Sequence, residues 1–444
     1  MEESTSSGNQ SRKSSKEPLE SKLEREKNPI KRLLMVLGPG LVTGASDDDP
    51  SGIGTYTQAG ASFGFATLWT APATLPMMAA VQFICAKIGM VSGMGLAAVL
   101  RKHYGRWVVY SAISLLVIAN TINAGTDIGA IAAAIGLLVP IPPLALVIPL
   151  AGGIVAFQIF GSYALISRIF KWLTLTLFAY IVAAFLARPH WREVLWATLV
   201  PTMHFDNQYL MTLVAILGTT ISPYLFFWQA SQEVEEELSM GRATLAEREG
   251  ATDKEIKIAE LDVDVGMFFA SIVFYFVILA SAATLHVAGK TNIQTATDAA
   301  EALKPLSSGV ASVLFALGLI GSGFLAVPVL TGASAYAIGE AFGWKCGLDE
   351  KLRAAPRFYG LIIASTFVGM LINFLRIQPV TALFWTAVIN GVLAPPLLVM
   401  IMLVSNNKNV MGLRVNGKLT NFIGWTTAAV MSAAAFGMFL TWGK

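Results

Sequence analysis

The residues best able to do chemistry in this chain stand together at Asp47, Asp48 and Asp49, followed by Pro50, Ser51 and Gly52, within the stretch from Gly38 to Gly60. Apolar sequence leads in from Leu33 and a long apolar segment follows from Phe65. Carboxylates are costly in such a setting, and charges at bilayer depth usually face a cavity or an ion pathway. Pro50 interrupts the helical ladder, and with Gly52 and Gly54 nearby the carbonyls from Ala45 to Asp48 lose their helical partners. A second interruption falls at Gly218, Thr219, Thr220, Ser222 and Pro223, inside the apolar segment from Leu210 to Glu237. Between them the breaks offer the Asp49 carboxylate, carbonyls at a helix C-terminus, carbonyls near Thr219 and the Ser222 hydroxyl. No Cys, His or Met stands at either break. Hard oxygen donors of this kind suit Mg²⁺, Ca²⁺ or Mn²⁺ rather than soft transition metals, and Mg²⁺ in particular keeps several of its waters when bound.

The elements that must position these residues are membrane helices. The chain is 444 residues long, 55% hydrophobic and 13% charged, with mean hydropathy +0.63; soluble domains run at about a quarter charged. A hydrocarbon core of ~30 Å needs about 20 apolar residues per helix. On that basis the sequence predicts an all-α integral membrane protein with eleven spans, at roughly 33–59 (interrupted), 65–90, 107–138, 142–160, 165–187, 209–238 (interrupted), 263–286, 310–340, 357–376, 379–404 and 419–441. One broken span opens a set of five helices and the other opens the next five. Broken helices at corresponding positions of two halves point to a midplane site in an inverted-repeat transporter. The expected division is a polar cytoplasmic tail at 1–30, a first repeat at 31–205, a second at 206–405, and an eleventh helix and C-terminus at 406–444. Lys and Arg concentrate in the loops on the side of the basic tail, which puts the N-terminus in the cytoplasm and, with an odd number of spans, the C-terminus outside. Two distant cysteines and four histidines without metal-binding spacing give no disulfide framework or metal cluster. No nucleophile–base set or large soluble domain supports an enzyme or a receptor, and the expected partners are divalent cations and the lipid bilayer, with no nucleic acid and no cofactor.

Other polar residues carry two readings each. Asp127, on the third span, suits a proton or cation relay, or a buried aspartate bonded to Thr121, Asn123 or Thr126. Asn120, Asn123 and Asn390 suit interhelical hydrogen bonds as well as ion contact. Gln229 and Trp228 either line an inner path or pack. Glu233 and Glu235 continue directly from an apolar helix and could line a cytoplasmic vestibule, whereas the distal part of the Gln232–Asp264 loop reads as a solvated helix. Glu340 could pair with Lys345 or Arg357. Asp47 and Asp48 face different ways on a helix, so they do not both bind the ion of Asp49. The candidate metal set is Asp49, Gly52, Thr219 and Ser222, with Asp48, Asp127, Gln229 and Glu233 as candidates for the pathway.

GPGLVTGASDDDPSGIGTYTQAGASFGF at the first span, GTTISPYLFFWQ at the sixth, VLTGASAYAIGEAFGW at the eighth and VINGVLAPPLL at the tenth resemble the Nramp family of divalent-metal transporters over residues 31 to 441. The resemblance implies a LeuT-type fold of two inverted five-helix repeats with helices 1 and 6 broken. It also implies departures. The family's Asp-Pro-Gly-Asn stands here as Asp49-Pro50-Ser51-Gly52, and its Met-Pro-His-Asn as Ser222-Pro223-Tyr224-Leu225. The aspartate ligand is kept, the asparagine becomes Gly52 and the methionine becomes Ser222. In the family that thioether favours Mn²⁺ and Fe²⁺, and its loss should relax or invert the preference. The sixth-helix histidines are replaced by Tyr224 and Gln229, and the acidic pair of the third helix keeps only Asp127, with Ala130 at the second place; both features belong to the family's proton route. The tenth-helix position of a conditional glutamine ligand falls at Ala387, beside Thr386. This pattern is similar to a prokaryotic branch of Nramp-related magnesium transporters. The expectation is therefore Mg²⁺, then Mn²⁺, as transported substrate across the inner membrane with little or no proton coupling. The alternatives are an ordinary proton-coupled Mn²⁺ symporter and, more remotely, an amino-acid carrier of the same fold, against which the three aspartates weigh.

Overall fold

The computed structural model describes residues 38–161, 175–303, 308–375 and 378–441. The expected tail at 1–30, the lead-in to the first span and the first half of the fifth span lie outside the described residues. The architecture is all-helical: α1 (Pro39–Asp47), α2 (Pro50–Phe63), α3 (Thr70–Ser92), α4 (Leu96–His103), α5 (Arg106–Leu138), α6 (Pro143–Phe160), α7 (Ala179–Leu186), α8 (Trp191–Leu199), α9 (Asn207–Thr220), α10 (Pro223–Ser239), α11 (Asp253–Ser281), α12 (Ser308–Phe342), α13 (Pro356–Met370), α14 (Pro379–Ser405) and α15 (Lys418–Thr441). Among the described residues nine helices or helix pairs are long and apolar enough to cross a membrane, α9 and α10 counting as one. The two pieces of the first span, 9 and 14 residues long, are individually too short for that.

Both breaks fall where the sequence puts them, and for the expected reason. A proline opens α2 and another opens α10, each at the first helical turn, where its missing N–H is harmless but the preceding helix cannot continue through it. Asp49 is the N-cap of α2, and Asp206 caps α9 by accepting the Tyr209 N–H at 2.9 Å. Elsewhere the structure departs from the sequence reading. The distal part of the Gln232–Asp264 stretch is helical, as its charges suggested, but it is continuous with the seventh span: α11 starts at Asp253, ten residues before the span bound, where Thr252 and Glu255 form a capping box. The amphipathic α4 and the short α8 were not foreseen at all.

Packing brings the broken helices to the centre. α1 and α2 lie against α11, α9 lies against α14, α10 lies against α3, and the long helices α5 and α12 lie against each other. Small residues permit this closeness, as expected where lipid supplies no hydrophobic drive between helices. A Cβ built on Gly44 would lie 2.3 Å from the Gly266 carbonyl oxygen, and one on Gly266 would lie 2.2 Å from that of Gly40. Backbone meets backbone there, so nothing flexible can yield. Gly44→Ala should therefore destabilise the fold by about 1–3 kcal/mol, measured as a lower thermal midpoint in detergent; a midpoint equal to that of the parent would show that α1 does not sit this close to α11.

Candidate metal site

Asp49 is built into the break by its own local geometry. Its Oδ1 accepts the Gly52 N–H at 2.7 Å and the Ser51 hydroxyl at 2.7 Å. Its Oδ2 accepts the Asn123 amide of α5 at 3.1 Å. The carboxylate thus sits on the positive end of α2 and is steadied by a neighbouring helix, while being 1% exposed. On its other side α1 ends at Asp47, leaving the carbonyls of its last turn without helical N–H partners.

The second break meets the first here. A Cβ on Gly52 would lie 3.1 Å from Thr219 Oγ1, 3.3 Å from the ring edge of Tyr56 and 3.4 Å from the Asp47 carbonyl oxygen. Gly52, Thr219 and the end of α1 therefore border one small space, which a side chain at position 52 would fill. Tyr224, just after the second break, donates its hydroxyl to the Ser46 carbonyl at 2.9 Å and ties the two interruptions together. Ser222 donates to the Gly218 and Thr219 carbonyls, at 2.9 and 2.8 Å, which fixes the hydroxyl and leaves its lone pairs available. On the tenth span, the Ala387 carbonyl and the Gly391 amide pack directly on Gly218, so the Thr386–Asn390 turn abuts the break.

The remaining acidic residues are placed as follows. Asp47 and Asp48 are buried, and neither oxygen of Asp47 nor Oδ1 of Asp48 hydrogen-bonds to a described residue. Asp127 is buried beside the Ser51 amide and within electrostatic reach of Asp49. Contrary to one reading, it bonds none of Thr121, Asn123 and Thr126: neither of its carboxylate oxygens hydrogen-bonds to a described residue, while Thr126 donates to the Asn123 carbonyl at 2.9 Å and Asn123 donates to Asp49. Gln229 and Glu233 form a buried line one turn apart on α10, in which Thr43 donates to Gln229 and Gln229 donates to Glu233 at 2.8 Å. Glu340 pairs with neither Lys345 nor Arg357. Lys345 binds Glu350 at 2.8 Å, Arg357 lies over the Trp344 ring, and Glu340 accepts from Ser231 and the Ala97 amide.

Three contributors escaped the sequence reading. Asn123 makes the interhelical hydrogen bond that one of its two readings allowed, but nothing in its spacing singled out Asp49 as the partner. The Tyr224 tie was read only as a lost histidine. Asp262 stood among the charges of a stretch read as a solvated helix, yet its carboxylate accepts the Gly38, Gly40 and Leu41 amides at 2.9, 2.6 and 3.0 Å and so caps α1 from α11. Among the described residues no three His, Cys, Asp or Glu side chains are arranged to hold a metal by themselves; an ion here would draw on carbonyl and hydroxyl oxygens beside carboxylate.

Apolar helices with two broken members whose breaks meet at a buried oxygen-donor site define a LeuT-type membrane transporter. Solved structures agree on the fold. The manganese transporter of Eremococcus coleocola superposes with a TM-score of 0.71 at 18% identity, covering 92% of this chain and 87% of that one. Mhp1, a nucleobase-cation-symport-1 family transporter, superposes with a TM-score of 0.57 at 17% identity, covering 91% of each. The sequence profile of the natural resistance-associated macrophage protein-like (Nramp) family matches residues 40–441, and the chain belongs to the Nramp family. Relatives include the divalent metal cation transporter MntH of Klebsiella pneumoniae, 27% identical over 408 residues (90% of this chain, 92% of the relative), and that of Deinococcus radiodurans, 26% identical over 414 residues (91% and 89%).

Proposed function

We propose that this divalent-metal transporter carries Mg²⁺ in preference to Mn²⁺, downhill and without obligatory proton coupling, through a site formed by Asp49, Gly52, Thr219 and Ser222. The carrying observation is that the two breaks meet around a fixed carboxylate with hydroxyl and carbonyl oxygens and without a sulfur or imidazole donor at either break. Such a set favours hard cations. Asp49 offsets half of the ion's double charge, the α1 carbonyls and Thr219 supply neutral oxygens, and Gly52 leaves space that an asparagine side chain would occupy. Asp48 and Asp127 add negative potential around the ion, and Gln229 and Glu233 continue a polar route along α10 towards the cytoplasm. Transport proceeds by rocking of the helices that carry the breaks, each repeat spanning one of the two five-helix sets, with the N-terminus in the cytoplasm, the C-terminus outside and the inner membrane as its location.

The reading of weak or no proton coupling is supported by Tyr224, Gln229 and Ala130, none of which relays a proton as histidine or glutamate does. In proteoliposomes carrying a pH dye, metal entry is expected without acidification of the lumen. Metal-dependent acidification would instead support the second reading, a proton-coupled Mn²⁺ symporter, which is favoured by the retained Asp127 and by relatives named as manganese and divalent-metal transporters.

A further inference from the structure

We propose that Glu340 and Glu235 form a two-rung latch that holds the cytoplasmic side of the transporter shut. Ser231 of α10 donates its hydroxyl to Glu340 of α12 at 2.8 Å. Tyr336 of α12 donates its hydroxyl to Glu235 of α10 at 2.9 Å. Ser231 and Glu235 are one turn apart on α10, as are Tyr336 and Glu340 on α12, so each helix gives one hydroxyl and one carboxylate to the same seam. Both rungs lie beyond the second break on α10; Ser231 is nine positions after Ser222, about 13 Å of helix.

Each rung is anchored behind. The second oxygen of Glu340 accepts the Ala97 amide at 3.1 Å, in the first turn of α4, and Arg101 of α4 donates to the Ala341 carbonyl at 2.8 Å. A Cβ on Gly95 would lie 1.8 Å from Glu340 Oε1, so the carboxylate occupies space only a glycine leaves. Behind the other rung, the Tyr336 hydroxyl accepts the Leu348 amide at 3.1 Å, and Tyr359 donates to the Leu348 and Glu350 carbonyls at 3.0 and 2.8 Å. α4, α12 and the 343–355 connection thus form one unit, to which α10 is joined by two hydroxyl–carboxylate bonds. Ser231 and Tyr336 are each 2% exposed, so α10 cannot part from α12 before water reaches the seam and replaces both bonds.

The inference rests on the alternating-access reading, and the test separates the two. Spin labels are placed at Ser239→Cys, at the exposed end of α10, and Lys102→Cys, on exposed α4, in a transport-competent background with Cys85 and Cys346 replaced by serine. Distances are measured by double electron–electron resonance with and without Mg²⁺. Ser231→Ala and Tyr336→Phe are each expected to raise the ratio of long to short distances at least about tenfold, the double variant more, and Ser231→Thr to restore the parent ratio. Ser231→Ala leaves the Ala97 bond of Glu340 in place, which keeps the seam folded. If the parent switches distances with metal and the variants match it while only melting earlier, the contacts are packing and the latch is overturned alone. A single unchanging distance in parent and variants overturns alternating access together with the latch.

Discussion

Asp49→Asn is expected to give a folded protein that no longer moves metal. Asparagine caps helices about as well as aspartate, so its side-chain oxygen still accepts the Gly52 N–H that Asp49 Oδ1 accepts at 2.7 Å. What disappears is the carboxylate charge that the hydrogen bonds of Gly52, Ser51 and Asn123 hold in place at the break. Partners one shell out from a metal are typically worth about 10–100-fold, so losing the direct carboxylate should lower uptake by at least about a hundredfold. Asp49→Ala should lose transport equally and in addition about 1 kcal/mol of stability, because the cap goes too. Uptake in proteoliposomes together with thermal melting distinguishes the two. Asp49→Asn uptake near that of the parent would mean that Asp47 or Asp48, both buried and short of hydrogen-bond partners, holds the ion instead.

Ser222→Met should turn the metal preference round. The parent hydroxyl donates its proton to the Gly218 and Thr219 carbonyls and keeps its lone pairs for a hard cation. Methionine releases those carbonyls and brings a polarisable sulfur to a site otherwise lined with oxygen. Softer donors favour Mn²⁺ relative to Mg²⁺, and the ratio of Mn²⁺ to Mg²⁺ uptake is expected to rise at least about tenfold, or ~1.4 kcal/mol. Ser222→Ala is the control: it removes the hydroxyl without adding sulfur, and should slow transport with the ratio unchanged. An unaltered ratio in a transporting Ser222→Met variant would place the selectivity point elsewhere.

The breaks were legible in the sequence because they violate it. Carboxylates, proline and glycine inside apolar, membrane-length segments conflict with a continuous helix, and the only relief is a cavity or a partner. Helix positions on the long apolar segments were legible for the opposite reason, since hydropathy alone sets them. What could not be read was anything that depends on which helix lies beside which. Asn123 reaching Asp49, Asp262 capping α1 across 222 residues from Gly40, and Glu340 turning from nearby basic residues to Ser231 all arise from tertiary proximity. The same holds for α4, whose short, weakly apolar sequence has no period long enough to declare it and which is set instead by its seat against α12. Local chemistry is written along the chain, whereas partnership is written in the packing.

The most direct measurement follows Mg²⁺ itself. Proteoliposomes loaded with a Mg²⁺-sensitive dye should show saturable entry down an imposed gradient in the parent and none in Asp49→Asn, with excess Mg²⁺ suppressing Mn²⁺ uptake in parallel. Mn²⁺ uptake that continues undiminished under excess Mg²⁺, with no Mg²⁺ entering, would contradict the hard-cation site built on Asp49.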